Sequence, residues 1–259
     1  MTRGRSVRAM VRDADGRRRP DRLAAEEPLE IRLDDHLVAT TMRTPGHDFE
    51  LAVGFLHGEG LLAGAPVQQV RYCATGSAVE TAFNVVTVET GGRAPVPEAR
   101  LGTTTSSCGW CGSAVVDDLL DRLAPLDARV EPDLALLQAV GDKARAEQEL
   151  FDATGAVHAA TAFELATGEV VAVREDVGRH NAVDKVVGRL LLDDRLPGSS
   201  LGLLVSGRAS FEIVQKAWAA GFPLVAAVSA ASSLAVDAAG RAGIALVGFL
   251  RDDGMTRYA

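Results

Sequence analysis

A chain of 259 residues is long enough for one large domain or two small ones around a true apolar core. An apolar share of 47% with 24% charged residues argues against a disordered or fibrous chain, and without a run of about 18 apolar residues no transmembrane helix is expected. The net charge is −8, and three cysteines are too few for a disulfide scaffold, so the composition points to the reducing cytoplasm and to thiols that are chemically active or metal-bound.

The opening runs against the acidic balance. Arg3, Arg5, Arg8, Arg12, Arg17, Arg18, Arg19 and Arg22 stand against Asp13, Asp15 and Asp21. No apolar stretch follows, so a secretory leader is not expected. Residues 1–24 read as a basic flexible tail or an edge strand and, because the remaining chain is acidic, not as a nucleic-acid arm. From Pro28 to Met42 apolar and polar residues alternate about Asp34-Asp35, the pattern of a β-hairpin. Thr44 to Asp48 reads as a loop and a capped helix start. Leu51, Phe55 and Leu62 fall on one side of that helix, and Gly58, Gly60 and Gly64 end it. Strand-like runs follow at Val70–Ala74 and Thr81–Glu89, and Cys73, inside the first, reads as a core cysteine. Gly91 to Pro97 is the best linker, separating an amino-terminal α+β subdomain at 25–100 from a larger domain at 101–259.

Next comes Cys108-Gly109-Trp110-Cys111, approached through Thr103-Thr104-Thr105-Ser106-Ser107 and followed by an apolar stripe from Val115 to Leu123. Pro132 opens a second helix expected to reach Leu150, with Gly141 as its weak point. Val157–Leu165 and Val170–Glu175 form a hairpin about Ala166-Thr167-Gly168. Asp176 to His180 is a loop, and Asn181 caps a helix to Leu192. Strands at Leu201–Val205, Pro223–Val228 and Ile244–Leu250, the last in the chain, alternate with helices that start near Ser210 and after Ser233. Apolar strands alternating with helices imply a mostly parallel sheet covered on both faces. Ligands then bind beyond the carboxyl ends of the strands. The loops at 176–181, 206–210, 229–233 and 251–254 therefore lie along one edge. Their Gly, Ser and Arg content, with Arg174, Arg179, Arg208 and Arg251, suits a phosphate-bearing ligand.

Three chemistries are open to the cysteine pair. Zinc needs more ligands than a single Cys-x-x-Cys supplies, and His57-Gly58-Glu59 offers only a weak deaminase-like match, so no metal site is assigned. A disulfide oxidoreductase needs the pair at a strand end in a βαβ context, which the Thr/Ser/Gly-rich approach does not resemble. Persulfide carriage needs a reachable thiolate, and a helix starting near Cys111 would lower a thiol pKa there.

Several blocks together resemble the formate dehydrogenase accessory sulfurtransferases, the FdhD family. They are Thr44-Pro45-Gly46-His47-Asp48-Phe49-Glu50, Ser107-Cys108-Gly109-Trp110-Cys111-Gly112, Gly155-Ala156-Val157-His158, Arg174-Glu175-Asp176-Val177-Gly178-Arg179-His180-Asn181, Ser206-Gly207-Arg208-Ala209-Ser210-Phe211-Glu212 and Leu246-Val247-Gly248-Phe249-Leu250-Arg251. The resemblance runs from about residue 25 to the end. It implies a carboxy-terminal three-layer mixed/parallel sheet similar to cytidine deaminases. It also implies a sulfur carrier that takes persulfide sulfur from a cysteine desulfurase and passes it to the molybdenum bis-molybdopterin guanine dinucleotide cofactor, before that cofactor enters formate dehydrogenase. Cys108 would carry the persulfide and Cys111 would assist. The cofactor segment maps onto Phe249, Leu250, Arg251, Asp252, Asp253 and Gly254, where two aspartates depart from a Gly-and-basic pattern. Arg179, His180 and Arg208 are further cofactor contacts, with His158, Glu175 and Asp176 shaping the site. The family also implies a homodimer. A cofactor chaperone without sulfur chemistry and a disulfide oxidoreductase remain alternatives.

Overall fold

The computed structural model describes residues 5–73, 77–97, 123–127 and 129–259. Cys108, Cys111, the helix expected from Val115 and the expected domain boundary near residue 100 all lie outside the described residues.

The arginine-rich opening, expected as a flexible tail or an edge strand, forms a hairpin of β1 (Ser6–Arg12) and β2 (Arg18–Ala24), a two-stranded sheet of its own. The amino-terminal α+β unit follows. Its four-stranded sheet has the order β4-β3-β6-β5, with β3 (Glu27–Leu33), β4 (His36–Arg43), β5 (Gln69–Tyr72) and β6 (Val85–Glu89). The hairpin expected about Asp34-Asp35 is β3–β4. The second expected run shortens to 85–89, because residues 78–83 form turns with Ala82 and Phe83 at positive φ. Leu29, Ile31 and Leu33 of β3 bury one face under Leu51 and Leu56 of α1 (Asp48–Gly58). Cys73 is buried as expected.

The larger unit is a six-stranded sheet of order β12-β11-β10-β9-β7-β8. It comprises β7 (His158–Glu164), β8 (Val170–Asp176), β9 (Leu201–Val205), β10 (Leu224–Ala227), β11 (Ala245–Arg251) and β12 (Gly254–Arg257). Only β9, β10 and β11 run parallel to their neighbours in that trio; β7–β8, β7–β9 and β11–β12 pair antiparallel. The sheet is thus mixed rather than mostly parallel, since two hairpins flank the parallel centre. The β12 hairpin is missed in the sequence because Met255 alone in that run is apolar.

Strand alternation fills two cores. Leu203 and Val205 face one side, with Ala182 and Val186 of α4 (Arg179–Leu192), Ile213 and Val214 of α5 (Phe211–Ala220), and α6 (Ser233–Ala242). Leu204, Ala226 and Val247 face the other, against Leu137 and Val140 of α2 (Leu134–Ala146). This is the expected three-layer arrangement.

The helix expected from Pro132 to Leu150 is two. It breaks at Gln148, whose ψ of 64° leaves the helical region, and α3 (Glu149–Thr154) restarts there; Gly141 sits undisturbed inside α2. The two units meet where α1 crosses α4 through facing glycines. A Cβ on Gly54 would lie 1.8 Å from the Asp184 carbonyl oxygen, and one on Gly188 would lie 1.8 Å from that of Glu50.

Candidate functional site

The segment Arg174–His180 builds the floor of the site, and strand alternation sorts its side chains. Arg174 and Asp176 face the amino-terminal unit. Arg174, expected as an anion contact, instead donates two hydrogen bonds to Glu50 at 2.5 and 2.8 Å. Burial would raise the Glu50 pKa, but the hydrogen bonds from Arg174 and His47 outweigh it and hold the carboxyl at about 2. Arg174 is therefore not available to a ligand.

Asp176 is fully buried. Its Oδ1 accepts the Gly178 N–H at 2.8 Å and Asn181 Nδ2 at 3.0 Å, and its Oδ2 accepts the Thr44 N–H at 3.1 Å and meets Lys185 Nζ at 2.6 Å. Lys185 also donates to the carbonyls of Thr44 and Glu175. Burial lowers the Lys185 pKa, with Asp176 opposing that shift. Asp176 thus turns the chain into α4, which starts at Arg179 after Gly178. Asn181, expected as the cap, lies inside the first turn and donates to the Met42 carbonyl at 2.8 Å. On the opposite face, Glu175 accepts the Leu150 and Phe151 N–H groups at 3.0 and 2.7 Å and so caps α3. It also pairs with Arg5 at 3.2 Å. Glu175 and Asp176 are frame residues, committed to protein partners.

The carboxyl ends of β8, β9, β10 and β11 lie on one edge, and the loops beyond them are stitched together. Ala209 and Ala231 form a β-bridge, Ser229 N–H donates to the Gly207 carbonyl at 3.2 Å, and Phe249 N–H donates to the Ser229 carbonyl at 3.1 Å. Of the four loops expected there, those at 206–210 and 229–233 are joined directly and the one at 176–181 reaches them through His180 and Ser210.

Two histidines of different surroundings meet there. His180 Nε2 lies 2.7 Å from Glu212 Oε2 and 3.2 Å from Ser210 Oγ. The hydrogen bond from His180 holds the Glu212 carboxyl below its ordinary pKa despite burial. His158 opens β7 directly across from Asp176. Burial, then the positive charges of Arg179 and His180, push its pKa down, so it is neutral at pH 7. A Cβ on Gly207 would stand 3.4 Å from His158 Nδ1, an ordinary contact, so this loop lies against the ring. The Arg179 Nε is buried with no hydrogen-bond partner among the described residues. Arg208 is exposed on the neighbouring loop. Beside them a pocket of about 450 Å³ opens between α2–α3 and the sheet, bounded by Ala144, Phe151, His158, Leu204, Ser206 and Val228.

The expected cofactor segment is the β11–β12 hairpin. Phe249 is exposed, with φ at 49°, while Leu250 packs into the core with Leu137. Gln138 Nε2 donates to the carbonyls of Arg251 and Asp252 at 2.9 and 2.8 Å, and the side chains of Arg251, Asp252 and Asp253 are exposed. Arg179, Arg208, His158 and His180 thus gather on the edge. The Glu212 partnership with His180 is the feature that sequence reasoning missed; its trace is an acid two residues after Ser210, in the first turn of α5. A half-buried arginine whose Nε has no partner among the described residues, beside glycine-rich loops, fits an anion, and a neutral histidine beside a carboxylate–histidine pair can take up and return protons.

The model of the FdhD/NarQ family matches residues 24–259. The chain is 52% identical to a protein named sulfur carrier protein FdhD from Streptomyces avermitilis, over 96% of this chain and 91% of that one. It is 50% identical to one of the same name from Mycolicibacterium paratuberculosis, over 93% and 90%. A crystal structure described as a formate dehydrogenase accessory protein from Desulfotalea psychrophila superposes with a TM-score of 0.74 at 25% identity, covering 98% of this chain and 95% of that one.

Proposed function

The chain belongs to the FdhD/NarQ family, and from that premise we propose that it is a sulfur carrier in formate dehydrogenase maturation and works as a sulfurtransferase through a persulfide on Cys108. The thiolate of Cys108 attacks the outer sulfur of a cysteine desulfurase persulfide; the donor S–S bond breaks and the donor cysteine leaves as a thiolate. Cys111 then attacks the inner sulfur of the Cys108 persulfide, which releases hydrosulfide to the acceptor and leaves a Cys108–Cys111 disulfide that a dithiol reductant returns to two thiols.

The acceptor substrate is the molybdenum bis-molybdopterin guanine dinucleotide cofactor, held through its phosphates by the edge that carries Arg179 and Arg208. The observation that supports an anionic acceptor is the buried Arg179 Nε without a partner among the described residues. The protein acts in the cytoplasm as a homodimer. No helix among the described residues is long and apolar enough to cross a membrane.

Mass spectrometry after incubation with a cysteine desulfurase and cysteine tests the reading. A gain of about 32 Da per sulfur is expected on Cys108 and none on Cys73. Cys108→Ala should abolish loading and leave affinity for the cofactor unchanged. If that variant still restores formate dehydrogenase activity in a deficient strain, the protein is a cofactor chaperone and the persulfide step is wrong.

A further inference from the structure

The family model begins at residue 24, so all of the hairpin β1–β2 but Ala24 precedes it. Cross-strand register sorts the hairpin into two unlike faces. Ser6–Ala24, Arg8–Arg22, Met10–Pro20 and Arg12–Arg18 are direct pairs on one face; Val7–Leu23, Ala9–Asp21 and Val11–Arg19 are pairs on the other. The first face therefore sets Arg8 opposite Arg22 and Arg12 opposite Arg18. Like charges in direct opposition destabilise a β-ribbon. All four arginines are exposed, and none is in an ion pair among the described residues; Arg12 only donates to the Gly16 carbonyl. The single ion pair within the hairpin, Arg19–Asp21, lies on the other face. Met10, at the centre of the arginine face, is 56% exposed, and Val7 and Leu23 are 51% and 45% exposed.

The hairpin joins neither larger sheet. It is tied to its own body at one end, through Arg5–Glu175, and along α3. An arrangement of four guanidinium groups with no carboxylate is costly alone and favourable against an acidic surface.

The rest of this chain is acidic in its overall balance. Residues 1–24 carry eight arginines and three aspartates, a net +5; with −8 for the whole chain, residues 25–259 carry −13. The hairpin's arginine face nevertheless stays open to solvent in the single chain. We propose that β1–β2 is an exchange arm, whose arginine face docks on the acidic body of a second copy of this chain. The inference rests on the homodimer proposed above and assigns its contact surface. Reciprocal docking of two arms gives a two-fold interface in which each chain both supplies and receives an arm. The arginine face is the eight residues of its four direct pairs, so the acidic body that receives the arm supplies the rest of the roughly 20–30 residues per side of a standard interface.

Sedimentation equilibrium of the full chain tests this at 50 and 500 mM NaCl, for the wild type, for R8E/R22E and for R12E/R18E. Salt screens contacts of exposed charges strongly at the higher concentration. The wild-type dimer constant should weaken about tenfold or more with salt, and each charge-reversal pair should weaken it about tenfold or more at low salt. Circular dichroism identifies any variant that fails to fold, and the tip pair R12E/R18E, remote from the body attachment, keeps the test valid if the other misfolds. A dimer indifferent to both salt and the variants overturns the arm while leaving the homodimer intact. A monomer at every concentration up to about 100 μM overturns both. A wild-type monomer that binds a 16-base-pair DNA duplex would instead make the arm a nucleic-acid ribbon.

Discussion

The crossing of α1 over α4 can be tested by adding one methyl group. At Gly54 a Cβ would stand 1.8 Å from the Asp184 carbonyl oxygen and 2.8 Å from the Gly188 backbone nitrogen. Real Cβ contacts do not fall below 3.0 Å, so the helix backbones in Gly54→Ala must separate by at least about 1.2 Å. The clashing atoms belong to helix backbone and cannot rotate away as a side chain would. Overpacking of this kind costs about 3 kcal/mol, the upper end of the usual range, because both clashing partners are helix backbone. For a domain of this size that is about 6–12 °C in Tm. Scanning calorimetry on Gly54→Ala, Gly188→Ala and the double variant measures it. Each single variant should show the full drop, and the double variant should fall short of their sum, since one separation relieves both clashes. A Gly54→Ala variant within about 2 °C of the wild type refutes the close crossing.

Three other perturbations address the floor and edge of the site. Glu50 titrates at about 2 in the folded chain against 4.5 ordinarily, so its contribution is full above pH 4.5 and is lost as the pH falls toward 2. Discounted for its partial exposure, that contribution is about 1–2 kcal/mol, and the gap in guanidinium midpoint between wild type and E50Q should close between pH 5 and pH 2.5. Asp176→Asn leaves Lys185 buried without its counter-charge and should cost about 3–5 kcal/mol by urea denaturation; adding Lys185→Met should recover a substantial part. Arg179→Ala should weaken pyrophosphate binding about tenfold in titration calorimetry with little change in Tm, and an unchanged affinity would remove Arg179 from the anion site.

Much of the carboxy-terminal layer order was legible because buried strands such as Leu201–Val205 are uniformly apolar and stand between helices bounded by Gly and Ser. Sheet direction was less legible. The β7–β8 hairpin was marked by Ala166-Thr167-Gly168, but apolar strands of either direction have the same composition, so the antiparallel pairing of β7 with β9 left no distinct mark. At the site, the gathering of Arg179, His180 and Arg208 followed from the alternation of strands and glycine-rich loops. The fate of Arg174 did not, because its partner Glu50 is 124 residues away and pairing at that distance carries no local pattern. The split between α2 and α3 was hidden for the same reason: Glu175, in a later strand, supplies the cap that restarts the helix. The Phe249–Gly254 segment could be placed but not sorted, since the irregularity in β11 that buries Leu250 and exposes Phe249 comes with a positive φ at Phe249.

The carboxylate of Asp176 collects donors from Thr44 in one unit and from Gly178, Asn181 and Lys185 in the other. The bend that sets Arg179 and His180 in place is thus made of the same bonds that join the two units. Such a bend cannot fray by itself. Its amide protons at Val177 and Gly178 exchange with solvent only when the seam between the units parts, so the floor of the site belongs to the slowest-opening part of the molecule.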